Sequence, residues 1–279
     1  MTKEFWFILI SITLLLALLL LVAAKKWHLL ETRPDQKIVY KLLAEKDLSL
    51  HVFKAQNEAD SSPSPAVLFF HGGGWVFGGA EQFYPQCEYL SNHGFTCLSA
   101  QYRLGPSQQP DIRGAIEDAR SALEYLTEHA EELHIDPQRI AVGGGSAGGH
   151  LAAALGTALL QPLDDTASDN GLRPAALVLY NPILDFAPGT LSYPLAAPYW
   201  KKVSPVEHVN GAIPPTLILV GSHDAEVPLS SMENFCDEVQ SKGGHCEIEV
   251  YQGQGHGFFN QAVYLEKTNH RVLQFLAAL

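Results

Sequence analysis

Apolar residues fall along this chain in short continuous runs, separated by segments whose apolar positions recur every three or four residues. Residues 66–71 (AVLFFH), 95–100, 140–142, 175–180 and 216–220 are runs of the first kind and predict short, buried strands. Residues 37–42 and 48–53 predict two more strands, and 246–251, which alternates, one nearer a sheet edge. Between them, 111–132 places Ile112, Ala115, Ile116, Ala119, Ala122, Leu123 and Leu126 on one helical stripe. Helices are also expected over 146–160, over 230–242 up to the stop at Gly243-Gly244, and over 260–279. Short strands alternating with helices imply an α/β fold, a mostly parallel central sheet flanked by helices. In such sheets ligands sit beyond the C-terminal ends of the strands.

The N-terminal segment obeys a different pattern. Residues 5–24 carry no charge, and Ser11 and Thr13 are their only polar interruptions. A helix of that length spans about 30 Å, the thickness of a bilayer core. Being apolar on every face, it is poorly suited to a core helix. A cleaved signal peptide ending near Val22-Ala23-Ala24 is the competing reading, but the run exceeds the usual length of ~7–15 residues for such segments. The expectation is therefore a transmembrane anchor within residues 1–30, followed by one domain over 31–279, membrane-anchored in the periplasm or cell envelope. Lys3 and Glu4 on one side and Lys25, Lys26 and Arg33 on the other leave its orientation undecided.

Composition narrows the partners. With 47% hydrophobic and 17% charged residues, the 279-residue chain is neither disordered nor a disulfide scaffold. Its formal net charge of -12 lacks the basic footprint that nucleic acid requires. Cys87 and Cys236 fall in helical stretches, and Cys97 and Cys246 lie ten positions on in strand candidates. In an oxidising compartment Cys87–Cys97 and Cys236–Cys246 are possible bridges; four buried thiols are the equal alternative. No metal-ligand spacing is present, and no cofactor is expected.

The chemistry lies in the turns that follow the strands. Gly144-Gly145-Ser146-Ala147-Gly148 stands between a predicted strand and a predicted helix, the setting that exposes a nucleophilic serine on a strained turn. His71-Gly72-Gly73-Gly74-Trp75 follows the strand at 66–70 and frees backbone N–H groups to converge on one oxygen. Gly73, Gly74 and Ala147 are the expected oxyanion donors. His71 itself is expected to fix this loop rather than to act as a base. Among twelve histidines, His256 is the expected base, because glycines flank it and it precedes the last helix; His150 and His223 are poorer competitors. Asp224, just beyond the strand at 216–220, is expected to orient it, with Glu226 as a substitute. The order Ser146, Asp224, His256 is that of the α/β-hydrolases.

Taken together, the HGGGW, GGGSAGGH and GHGF segments resemble the hormone-sensitive-lipase-like esterases of the α/β-hydrolase superfamily, including acetyl esterases. The resemblance runs from about residue 67 to the C-terminus and includes Tyr102-Arg103-Leu104 and residues 135–140. Residues 214–260 are similar to exported acetyl and carbohydrate esterases of bacteria. It implies the same triad and the same oxyanion donors. Gly145 departs from the family, many members of which have Asp immediately before the serine. A large N-terminal cap is missing, which implies an open cleft.

The implied activity is a serine carboxylic-ester hydrolase acting on short, chiefly acetyl, esters of small molecules or carbohydrates. A serine peptidase or amidase on the same fold, or a catalytically dead membrane-anchored binding module, are the alternatives. Tyr193, Tyr199 and Trp200, in the charge-poor stretch 186–200, are candidates to wall the substrate site. Trp75 and Phe258, beside the motifs, complete the substrate-binding set.

Overall fold

Eight strands form one sheet in the order β1-β2-β4-β3-β5-β6-β7-β8. The structure, a computed structural model, describes residues 32–56, 62–106, 109–157, 159 and 172–278. The predicted anchor at 5–24 lies outside them. Among the described residues, no helix is long and apolar enough to cross a membrane.

The strands are β1 (Gln36–Lys41), β2 (Leu48–Phe53), β3 (Ser64–Phe70), β4 (Thr96–Ala100), β5 (Ile135–Gly145), β6 (Ala176–Tyr180), β7 (Thr216–Gly221) and β8 (Cys246–Tyr251). Strands β1, β2 and β4 pair antiparallel, and every pairing from β4 through β3 to β8 is parallel. The central strands are buried on both faces, as their unbroken apolar runs require: every residue of β4, β6 and β7 is buried. At the margin, β8 is only half-buried between its ends, which matches its alternating sequence.

The longer helices are α1 (Tyr84–Ser91), α2 (Ile112–Glu128), α3 (Ala147–Gly156), α6 (Leu229–Ser241) and α7 (Ala262–Ala277); α4 (Tyr193–Ala196) and α5 (Trp200–Val203) are single turns. Successive strand residues point to opposite faces, so Leu68 and Phe70 join a core with α2, α3 and α6, whereas Val67 and Phe69 join one with α1 and α7. All seven apolar positions expected on α2 are buried, and Asp111 caps the helix by accepting from the Gly114 N–H at 2.9 Å.

Two boundaries differ from expectation. Strand β5 begins five residues earlier than its apolar run. Asp136 accepts from the Gln138 N–H and pairs with Arg139, making an exposed irregularity between the pairings Ser64↔Ile135 and Ala66↔Ile140. The helix expected over 146–160 is described only to Gly156, and the residues from 160 to 171 are outside the described set.

Both cysteine pairs are disulfides, Cys87–Cys97 and Cys236–Cys246, with Cα separations of 4.9 and 5.3 Å. The buried-thiol alternative therefore falls. Each bridge ties a helix to a strand, α1 to β4 and α6 to β8.

The register decides where the chemistry lies. Phe70 pairs with Gly144, Gly145 with Tyr180, Tyr180 with Leu219, and Gly221 with Tyr251. Five parallel strands thus end at one level, and the segments carrying Gly72–Gly74, Ser146, Asp224 and His256 leave the sheet along the same edge.

Candidate active site

Ser146 sits between β5 and α3 with a φ of 53°, a left-handed conformation that is strained for a residue bearing a Cβ. Its N–H donates to the Tyr180 carbonyl at 2.9 Å, which locks the turn to β6. The flanking glycines are steric requirements. A Cβ on Gly144 would lie 2.5 Å from the Gly148 backbone, and one on Gly148 would lie 2.0 Å from the Phe70 carbonyl oxygen. No side chain fits either gap.

Gly145 is also explained. A Cβ there would meet the Phe259 ring at 2.6 Å. Phe259 stacks on Phe83 and packs at 4.6 Å on Tyr180, so an aromatic ring fills the space that a residue before the serine would need.

The oxyanion loop follows β3. Gly73, Gly74 and Trp75 have φ values of 121°, 61° and 62°. A Cβ on Gly73 would lie 2.1 Å from the Phe77 carbonyl oxygen. Ala147 opens α3, and the first N–H groups of a helix have no intrahelical partner. Four interactions hold the loop. Tyr102 stacks on His71 at 4.3 Å and donates its hydroxyl to the His71 carbonyl at 2.9 Å. His71 Nδ1 lies 2.7 Å from the Gly72 carbonyl oxygen. The Gly72 N–H donates to Gln82 Oε1 at 2.6 Å. Burial lowers the pKa of His71 to about 4, consistent with a structural rather than a basic role. Tyr102 is fixed in turn by its neighbour: Arg103 grips the buried Asp118 carboxylate through Nε and Nη2 at 2.7 and 2.8 Å. Lys41 also reaches Asp118, at 2.7 Å, so the buried charge is paired.

On the other side, His256 Nδ1 lies 2.8 Å from Asp224 Oδ2. Burial alone would raise the Asp224 pKa. The hydrogen bond from His256 and those from the N–H groups of Val227 and Glu226 outweigh it, holding the carboxyl below its ordinary value. Asp224 is thus the carboxylate placed against His256 Nδ1. Glu226, its possible substitute, instead has Oε2 at 3.6 Å from the other ring nitrogen, Nε2. His150 is fully buried in α3, with Nε2 2.8 Å from the Val203 carbonyl oxygen and its pKa lowered by burial to about 4. It cannot serve as the base.

Ser146, His256, Gly73 and Gly74 line one cavity of about 750 Å³. Phe77, Ile183, Leu191, Leu195, Val227 and Phe259 give it apolar walls. Of the four residues expected to bind substrate, Trp75 lines it, fully buried against His150 and Phe186. Tyr193, Trp200 and Phe258 do not. The turn at α4 presents Leu191 and Leu195, four apart, to the cavity, and Tyr193 falls between them. Trp200 and Tyr199 pack against the core, and Lys201 Nζ lies 5.3 Å over the Trp200 ring. Phe258 is buried between Tyr251 and Tyr264 at 4.7 and 5.7 Å, leaving its neighbour Phe259 to face the cavity.

Two lining residues carried no motif signal. Gln82 braces the oxyanion loop as described. Asn181, buried at the end of β6 with a φ of 36°, has Nδ2 3.3 Å from both nitrogens of His256. Its place after a buried strand, in a positive-φ conformation that Asn tolerates, is the signal that could have found it. Among the described residues, no group of three His, Cys, Asp or Glu side chains is placed to hold a metal ion.

Comparison with known proteins agrees with this architecture. A family profile described as an α/β-hydrolase fold matches residues 67–201. The apo form of esterase 2 from Thermogutta terrifontis is 33% identical with a TM-score of 0.80, over 89% of this chain and 96% of that one. That esterase has also been solved with propionate and with butyrate bound. Lipase 2 of a Moraxella strain is 33% identical over 141 residues, 50% of this chain and 32% of the lipase. Esterase LipC of Mycobacterium tuberculosis is 27% identical over 232 residues, 73% of this chain and 55% of the esterase. The chain therefore spans about a third to just over half the length of these curated relatives. Because the Thermogutta protein is 33% identical and matched over nearly its whole length, and a profile of that fold matches residues 67–201, the chain belongs to the α/β-hydrolase fold family.

Proposed function

We propose that the protein is a serine carboxylic-ester hydrolase that cleaves short-chain acyl esters, acetyl esters foremost, through an acyl-enzyme. The observation that carries this reading is the 2.8 Å contact of Asp224 Oδ2 with Nδ1 of His256, which itself lines one cavity with Ser146 and the glycine loop. Asp224 fixes the tautomer that leaves a lone pair on Nε2. His256 takes the Ser146 hydroxyl proton as Oγ attacks the ester carbonyl. The N–H groups of Gly73, Gly74 and Ala147 receive the developing oxyanion. His256 then protonates the leaving alcohol, and water activated by the same imidazole releases the acid.

Ligands named for the Thermogutta esterase, propionate and butyrate, support a short acyl group. An acetyl group fills little of 750 Å³, so most of the cavity is left to the alcohol. Its apolar walls favour an alkyl or aryl alcohol, and an acetylated carbohydrate is the second substrate to test. Ser146→Ala is expected to abolish release of acetate from phenyl acetate and from acetylated xylan with the fold intact. Normal turnover by that variant would refute the assignment. Release from the aryl ester alone would exclude the polysaccharide, and failure of a fluorophosphonate to label Ser146 would favour a binding module.

The location follows from different observations. The two disulfides support an oxidising compartment, and residues 5–24 support attachment to a membrane as an anchor or export as a cleaved signal. The catalytic domain would then face the cell envelope. Trapping the thiols with a maleimide before lysis tests this: four labelled cysteines would place the domain in a reducing compartment.

A further inference from the structure

We propose that Glu226 makes this site selective for esters whose alcohol carries a positive charge close to the ester oxygen, an inference that rests on the ester-hydrolase reading. Among the described lining residues, Asp185 and Glu226 are carboxylates, and none is Lys or Arg. The position of Glu226 gives that charge a direction. His256 Nε2 is the atom that delivers the proton to the departing alcohol, so the alcohol oxygen must come within about 3 Å of it. Glu226 Oε2 lies 3.6 Å from the same nitrogen, which puts a carboxylate on the leaving-group side. The Glu226 N–H donates to Asp224 Oδ1 at 2.9 Å, so its backbone is tied to the triad. An ammonium two carbons beyond the ester oxygen falls within reach of this carboxylate. Phe77, 67% exposed, is an aromatic residue lining the same cavity. An anionic alcohol would meet repulsion instead.

The test compares two acetates of nearly equal shape, the ester of 2-(trimethylammonio)ethanol and its carbon isostere 3,3-dimethylbutyl acetate, with phenyl acetate as reference. The readout is the ratio of kcat/KM for the first two, which cancels general damage to the site. Glu226 is 68% exposed, so the ratio is expected to fall by about two- to fivefold in Glu226→Gln, the range for exposed ion pairs. Wild type in about 1 M salt should show the same fall, because screening removes the charge without changing the side chain. A ratio unchanged by both treatments overturns the proposal. An equal loss on both esters also overturns it, because Glu226 would then act on His256 and not on the substrate. Wild-type inactivity on all three esters would instead overturn the hydrolase reading beneath it, and the selectivity with it.

Discussion

The serine elbow, residues 143–149, and the histidine loop, residues 252–257, reach the same cavity, and both are rich in glycine for different reasons. In the elbow the glycines are needed for clearance. At Gly143, Gly144 and Gly148 a Cβ would come within 2.6 Å of neighbouring atoms, most of them backbone of adjacent segments that cannot yield. In the histidine loop, Gly253 and Gly257 have φ values of 73° and 72°, and the space around Gly253 is open to 4 Å. Those glycines answer to backbone conformation, not to crowding. The loop meets a tight contact only where it touches the sheet, at Gly221, where a Cβ would lie 2.2 Å from the Gln254 carbonyl oxygen. Ser146 is thus held by packing. His256 is held by a hydrogen-bonded contact to a carboxylate, a more adjustable constraint.

The comparison can be sharpened by separating chemistry from packing. Asp224→Asn should leave the fold in place and lower kcat by about 10⁴-fold, the cost of the wrong imidazole tautomer in comparable triads. Steady-state kinetics with circular dichroism check it; an unfolded variant would show that Asp224 serves stability more than orientation.

Gly148→Ala should break the packed side outright. The new methyl group would lie 2.0 Å from backbone, and overpacking this severe is expected to cost about 3 kcal/mol, the upper end of the usual range. A melting temperature within a few degrees of wild type would contradict the clearance argument. Gly253→Ala, by contrast, should cost about 1–2 kcal/mol, the penalty of a left-handed L-residue, and spare kcat. Urea unfolding of the two variants side by side gives the difference directly.

The smallest effect concerns pH. Because the folded Asp224 carboxyl is held below its ordinary value, it contributes stability that is fully present above its unfolded pKa of about 3.9. That contribution is lost as pH falls through the lower folded value. The stability gap between wild type and Asp224→Asn should therefore be constant near neutrality and shrink below about pH 4. A gap unchanged at pH 3 would show that the hydrogen bonds to Asp224 add nothing to folding.

Local pattern set more of this molecule than is usual to assume. The buried runs at 175–180 and 216–220 needed two covered faces, and the parallel sheet is the arrangement that covers them. Glycine spacing around Ser146 and after Phe70 marked the two turns that meet at the cavity, because a strained turn between touching backbones admits little else. The order of Ser146, Asp224 and His256 then followed from which strand each succeeds. Only the tertiary structure could decide the rest. Whether Asp224 or Glu226 faces Nδ1 depends on how a three-residue turn is aimed, and no periodicity encodes that aim. That Phe259 and not Phe258 enters the cavity is settled by which ring the pocket around Tyr251 and Tyr264 accepts. Gly145 reads as a departure along the chain and as a fit once Phe259, more than a hundred residues away, is seen to occupy its missing side chain's place. Contacts between residues so distant in sequence arise from packing in three dimensions, and a one-dimensional pattern carries no record of them.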